Sequence, residues 1–270
     1  MSIFEAFLLG ALQGLTEFLP ISSSGHLVIA ESLLKLPVEN LKSFDIAVHF
    51  GTLLAIVVYF WQDIVGLWQA FWSFFSKKEH SPVIHANQKL ILQLILASIP
   101  AIIFALLLSD WLDLKFRHPL SVAIFMITVA FIFFLAEYIF SKSKTKNISL
   151  RQAVIMGFAQ CLALIPGVSR SGITISSGLM QGVKRDEAAR FSFLLGGVAI
   201  LGATVFAIIA IIRKKYSLPA SGVLLIGISS SFIFGLAAIA FLMRFLKTHK
   251  LNIFGYYRIV LGILLLLILR

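Results

Sequence analysis

Two short stretches carry most of the polar chemistry of an otherwise apolar chain. The first is QGLTEFLPISSSGH, residues 13–26, and the second is PGVSRSGITIS, residues 166–176. Gln13 and Glu17 are four apart, so on a helix they present an amide and a carboxylate to one spot. A carboxylate there can hold a divalent cation, with water and substrate oxygens completing its shell. Ser23 and His26 are three apart. On a helix restarting near Ser22 they share a face, and His26 is placed as a base for Ser23. Arg170 suits bidentate binding of phosphate. Ser169, Ser171 and Thr174 offer hydroxyls, and Gly172 lets backbone approach closely. Ser22, Ser24 and Gly25 offer the same in the first stretch. Helix N-termini following Ser22 and Ser169 point their positive ends at one centre. The set amounts to a diphosphate receptor: an arginine, two helix ends, hydroxyls and a cation on Glu17 and Gln13. The attacking group stays open between Ser23, His26 and an activated water.

The elements that must position these residues are membrane helices. The 270 residues are 59% hydrophobic and only 13% charged, with a mean hydropathy of +0.98, outside the range of soluble domains. Segments near 46–75, 88–108, 119–140, 187–212, 219–243 and 253–269 are long and apolar enough to cross a bilayer. Short alternating strands of a membrane barrel are missing from the pattern. The expected fold is an all-α polytopic membrane protein with about six crossings and ten helices. The net charge of +11 sits in the loops between apolar runs, where it sets topology rather than binding nucleic acid. The single cysteine, Cys161, excludes an internal disulfide and argues against a cysteine metal cluster. The N-terminus has no charged region or cleavage signal and is expected to belong to the mature fold.

Residues 3–36 and 150–183 are apolar but broken near the middle by Pro, Ser and Gly. Each half is too short to cross alone, and irregular backbone at membrane depth survives only inside protein or beside a wet cavity. Each region is therefore expected to be a re-entrant helical hairpin. The two also match residue by residue. Gly10, Gln13 and Leu15 correspond to Gly157, Gln160 and Leu162; Pro20 to Pro166; Ser22, Ser24 and Gly25 to Ser169, Ser171 and Gly172. The chain is then a single membrane domain, 1–270, of two repeats, about 1–141 and 149–270, each a hairpin plus three crossings. Three crossings invert the second repeat relative to the first, an arrangement that meets at the midplane around a polar site.

Loop charges set the orientation. One face receives 76–87, 141–151, 184–190 and 244–250, with Lys77, Lys78, Lys142, Lys144, Lys146, Arg151, Lys184, Arg185, Arg190, Arg244, Lys247 and Lys250. That face is expected to be cytoplasmic, which puts the first hairpin and both termini outside. The loops at 109–118 and 213–218 fall on the outer face. Ionisable residues within or beside apolar segments are Glu5, Glu17, His26, Glu31, His49, Glu137, Arg170, Arg190 and Arg258. Glu5, Glu31, Glu137 and Arg190, near segment ends, are expected to reach the interface. Arg258, beside Tyr256 and Tyr257, fits an interface belt.

At QGLTEFLPISSSGH and PGVSRSG, with FGTLLAIVVYFW and RFSFLLG in support, the whole chain resembles the bacitracin-resistance family of undecaprenyl-diphosphate phosphatases. The resemblance implies a multi-pass protein of the bacterial plasma membrane that removes one phosphate from undecaprenyl diphosphate. That reaction regenerates the lipid carrier for peptidoglycan and other envelope polymers. The resemblance also implies Mg²⁺ or Ca²⁺ as cofactor and resistance to bacitracin through the shared lipid, and a homodimer is compatible with it. Roles are implied for Glu17, Ser23, His26, Ser169, Arg170 and Thr174. The family's first acidic motif begins with Glu or Gln; here it is Gln13, so Glu17 is its only anion. The rival class is a transporter of a phosphate-bearing lipid or anion, since broken helices in inverted repeats are common there. Binding needs only the arginine, whereas hydrolysis also needs the acid–serine–histidine set.

Overall fold

The computed structural model describes residues 1–34, 41–76, 81–140, 147–213 and 219–268. Among them are eleven α-helices, one short 3₁₀ turn and no strand. The helices are α1 (Ile3–Phe18), α2 (Ser23–Leu33), α3 (Leu41–Tyr59), α4 (Trp61–Ser73), α5 (Pro82–Phe116), α6 (Pro119–Phe140), α7 (Leu150–Cys161), α8 (Arg170–Met180), α9 (Arg185–Ile212), α10 (Ser221–Phe245) and α11 (Asn252–Ile268). Four of them, α5, α6, α9 and α10, are long and apolar enough to cross a membrane, and the α3–α4 pair makes a fifth if counted as one span. The chain is an all-α polytopic membrane protein.

The two broken regions fold as their punctuation requires. α1 stops at Phe18 and α2 starts at Ser23; α7 and its 3₁₀ turn stop at Leu164 and α8 starts at Arg170. With 11 residues each, α2 and α8 are about 16 Å long, half of what a crossing needs. The entry helices are capped alike. Ser2 and Glu5 form a capping box on α1, and Ser149 and Gln152 form one on α7. α1 lies along α10 and α7 lies along α5, while α6 packs on α11 and on α8. The core between the breaks is filled by Phe18, Ile56, Phe133, Met156, Ile175 and Phe193. The outer faces carry exposed Leu106, Leu107, Phe131, Phe206 and Leu225, the pattern of a protein whose solvent is lipid.

Several expectations need correction. The 46–75 segment is not one straight span, since α3 and α4 meet at 82°. No proline or glycine marks that bend at Phe60. It is stabilised from outside, by Asp63 in the first turn of α4 accepting from Arg190 of α9. Residues 109–116 are not a loop. α5 runs for 35 residues to Phe116, because Asp and Lys do not break a helix, and the chain turns only before Pro119. α11 has 17 described residues, at the short end of what a crossing needs. Glu31, Glu137 and Arg190 do not snorkel. Glu31 and Asp45 share Arg117, Glu137 pairs with Arg185, and Arg190 pairs with Asp63. Lys77, Lys78, Lys142, Lys144, Lys146 and the 214–218 segment, part of the topological argument, lie outside the described residues.

Candidate active site

Both helix breaks are built the same way. Ser22 Oγ accepts from the Gly25 amide and Ser169 Oγ from the Gly172 amide, each at 3.3 Å. These serines are N-caps of α2 and α8, satisfying amides that a helix start leaves free. Both sit at positive φ, 76° and 73°, the only non-glycine residues to do so among those described. Such a backbone costs about 1–3 kcal/mol and is kept where its surroundings dictate it. Here the surroundings are the opposite break. Ser171 Oγ donates to Leu19 O at 3.3 Å, and a methyl group on Gly172 would lie 2.4 Å from Phe133 Cζ and 3.2 Å from Pro20 Cβ. Glycine there leaves room for the Phe133 ring of α6 and lets α8 start beside Pro20 of the first break.

Ser23 and Arg170 thus hold equivalent places, each the first residue of a half-helix. Glu17, in the last turn of α1, lies between them. Its Oε2 accepts from Ser23 Oγ at 2.6 Å and from Gln13 Nε2 at 3.1 Å. Its Oε1 accepts from Arg170 Nη2 at 2.6 Å. Arg170 Nη1 donates to Ser192 O at 3.2 Å. The structure therefore brings together Gln13, Glu17, Ser23 and Arg170, as the sequence suggested.

The expected Ser23–His26 pair does not form. His26 Nδ1 contacts Ser22 O at 2.8 Å and Nε2 contacts the Tyr257 hydroxyl at 2.8 Å. Ser23 turns instead to the stronger, charge-assisted acceptor on Glu17. The other expected ligand hydroxyls build the tips rather than line an opening. Ser22, Ser171 and Thr174 are almost fully buried. Thr174 Oγ1 donates to Arg170 O at 2.7 Å and pairs with Ser192 Oγ. Ser24 and Ser171 each lie 3.4 Å from the capping serine of their own break. The groups at the tips that suit a phosphate are the Ser23 hydroxyl and the Arg170 guanidinium, both held here by Glu17.

Spanning helices add residues that the motifs do not contain. His49 of α3 places Nε2 3.8 Å from Glu17 Oε2. Its Nδ1 lies 2.7 Å from Asp45 O; a carbonyl only accepts, so Nδ1 carries the proton and Nε2 faces the site. With its side chain 33% exposed against 8% for Glu17, His49 marks the open edge of the cluster. On α9, a methyl group on Gly196 would lie 0.9 Å from Arg170 Nη1, so that glycine is the seat of the guanidinium. A histidine inside an apolar run was a visible signal for His49. Nothing in a one-dimensional reading singles out Gly196.

The donors suit a cation only as a shared ligand. Gln13 Oε1 is buried without a partner, next to Glu17, and is free to accept one. Both Glu17 oxygens already hold protein donors, and no three His, Cys, Asp or Glu side chains converge among the described residues. Two protein oxygens fall well short of the six or more that Mg²⁺ or Ca²⁺ takes. Phosphate oxygens and water must supply the rest.

The fold and cluster define a class: a polytopic membrane protein with an acid–serine–arginine group where two broken helices meet. Comparison with known families gives it a place. The family of the bacitracin resistance protein BacA matches residues 6–264, and the chain belongs to that family. It is 41% identical to the undecaprenyl-diphosphatase of Geotalea daltonii, over 100% of this chain and 99% of the relative. It is 41% identical to that of Thermodesulfovibrio yellowstonii, over 98% and 97%, and 40% identical to that of Methanosphaera stadtmanae, over 99% and 98%.

Proposed function

We infer that this protein hydrolyses undecaprenyl diphosphate to undecaprenyl phosphate and inorganic phosphate. It thereby recycles the lipid carrier of cell-wall synthesis and gives resistance to bacitracin. Full-length identity of about two residues in five to enzymes of that name supports the activity. The observation that carries the chemistry is the Glu17 carboxylate bridging Ser23 Oγ and Arg170 Nη2 at 2.6 Å each.

The diphosphate enters from the His49 side and takes the place of Glu17 on the arginine. Arg170 and the first-turn amides of α2 and α8 then hold its oxygens. Ser23 Oγ attacks the terminal phosphorus and its proton passes to Glu17 Oε2. The bond from that phosphorus to the bridging oxygen breaks, and undecaprenyl phosphate leaves with the electron pair. Glu17 returns its proton to the leaving phosphate, takes one from water, and the hydroxide releases phosphate from Ser23. Serine regains its proton from Glu17. Most of the acceleration in such transfers is positioning and charge stabilisation, the part assigned to Arg170. Gln13 Oε1 and Glu17 would hold a divalent cation jointly with the diphosphate, where it would neutralise phosphate charge. Hydrolysis needs a base beside the nucleophile and transport does not, so the Ser23–Glu17 contact favours the enzyme over the transporter.

Phosphate release from a polyprenyl diphosphate by the purified protein, with and without chelator, tests this reading. Release that chelation abolishes is expected, with acid-stable phosphate trapped on Ser23. Acid-labile phosphate on His26, or no release at all, overturns it. We propose that the site opens to the outer face of the bacterial plasma membrane, in keeping with the basic loops opposite. In sealed right-side-out vesicles, added substrate is then cleaved without permeabilisation, and a need for permeabilisation overturns that orientation.

A further inference from the structure

Among the described residues, Arg258 is the largest fully buried side chain, and it was expected at an interface. Its neighbours Tyr256 and Tyr257 are exposed at the helix surface, but Arg258 points inward between the breaks. Its guanidinium makes no ion pair with any described carboxylate. It donates to four backbone carbonyls instead: Met126 O at 3.1 Å, Phe125 O at 3.2 Å, Gly167 O at 2.7 Å and Pro20 O at 3.5 Å. The ring of Phe133 lies 5.3 Å from its centre.

The choice of carbonyls is informative. Pro20 belongs to the first break and Gly167 to the second. Neither belongs to a helix, so neither carbonyl has an intrahelical donor, and a carbonyl left unsatisfied away from water is costly in a membrane. One planar fork serves both, together with two carbonyls of α6. A guanidinium can do this because its five donors have fixed directions. The preceding residue, Tyr257, holds His26 in the first turn of α2. One turn of α11 therefore grips both half-helix starts.

We propose that Arg258 is a positioning residue that sets the spacing between Ser23 and Arg170. It touches neither side chain. It fixes the two backbone segments that lead into them, and the Glu17 bridge forms only when those segments hold their separation. The proposal rests on the reading of Ser23 and Arg170 as the reacting pair.

The test uses Arg258→Lys and Arg258→Met, purified in detergent. Lysine keeps the charge but cannot reach both breaks, and methionine loses charge and donors. For Arg258→Lys, kcat is expected to fall about 10²-fold, as for other losses of site alignment by an ångström, with KM within about threefold and a lowered melting temperature that still leaves the protein folded at the assay temperature. Arg258→Met is expected to lose at least as much, and if it fails to fold, Arg258→Lys decides. Near-normal kcat in folded Arg258→Lys overturns the proposal, as does a defect confined to KM. Ser23→Ala and Arg170→Ala run alongside. Activity in those two variants refutes the reading of the site, whereas their inactivity with a normal Arg258→Lys refutes only the positioning role.

Discussion

The break before α2 and the break before α8 share a backbone and differ in chemistry. Their capping serines have φ of 76° and 73°, their cap bonds are both 3.3 Å, and each is followed two residues after the cap by a serine and three after by a glycine. The first residue of the half-helix is Ser23 in one and Arg170 in the other. α1 brings Glu17 to its tip, and the 3₁₀ turn after α7 has Leu164 at the equivalent place. His26 of α2 faces Ile173 of α8 in the alignment of the two. What is duplicated is the anion-receiving device of a capped helix start, and what has diverged is the group mounted on it. On the mechanism proposed above, one tip carries the nucleophile and base, and the other carries the cation. A diphosphate has two charged ends of unequal fate, so two like receptors with unlike side chains match it better than two copies would.

The comparison breaks most sharply at the two charged residues. Arg170→Ala and Glu17→Gln are each expected to lower kcat by about 10²–10³-fold or more, the usual cost of a charge contact made in the transition state. Arg170→Ala strips the second half-helix of the cation at its start, and Glu17→Gln leaves the first without its proposed base. Each variant removes one member of a largely buried ion pair, with side chains 14% and 8% exposed, so thermal unfolding in detergent is measured beside activity and only folded protein is scored. Phosphate release by purified protein is the measurement. Activity within tenfold of wild type in either variant would show that the tips do not divide the labour in this way.

Most of this asymmetry was legible in the chain. Serine, proline and glycine after a short apolar run mark a break whatever the tertiary structure, so both half-helices and their caps followed from local chemistry. Glu17, Ser23 and Arg170 stood out because ionisable groups are rare in apolar segments. The partner of Ser23 was misread because spacing along one helix favoured His26, and the competing carboxylate lies across a turn, on α1. Arg258 was misread for a related reason. A cation beside two tyrosines resembles an interface belt, and only packing reveals carbonyls awaiting donors. The α3–α4 bend left no mark at all, since the ion pair that holds it joins residues 63 and 190.

A smaller effect separates the seat of the arginine from the arginine itself. Gly196→Ala puts a methyl group where the Arg170 Nη1 now lies, 0.9 Å from it. The obstacle is the far end of a flexible side chain, so the helix survives and the guanidinium moves. It then loses Ser192 O or Glu17. A drop of about 10–10² in kcat/KM is expected, in line with displacing a positioned group by about 1 Å, with little change in melting temperature. Unchanged kinetics would mean that Arg170 is active in another rotamer.

The mildest test asks whether the duplicated parts are energetically equal. Ser22→Ala and Ser169→Ala each remove one cap acceptor and leave a residue with a side chain at positive φ. Loss of an N-cap typically costs about 0.5–2 kcal/mol, and the strain is present before and after. The two variants should therefore lose similar stability, read as similar shifts in thermal unfolding in detergent. Ser22→Gly and Ser169→Gly lose the same cap bond but relieve the strain, so each should be more stable than its alanine counterpart. Activity need not follow stability. Ser22 O also holds His26 Nδ1 at 2.8 Å, whereas Ser169 has no histidine to hold, so a disturbed first cap reaches further into the chemistry than a disturbed second one. Equal stability losses with a larger kcat defect at Ser22 would establish a shared scaffold under unlike chemistry. A large difference in stability would show that the two breaks, alike in backbone, are not alike in energy.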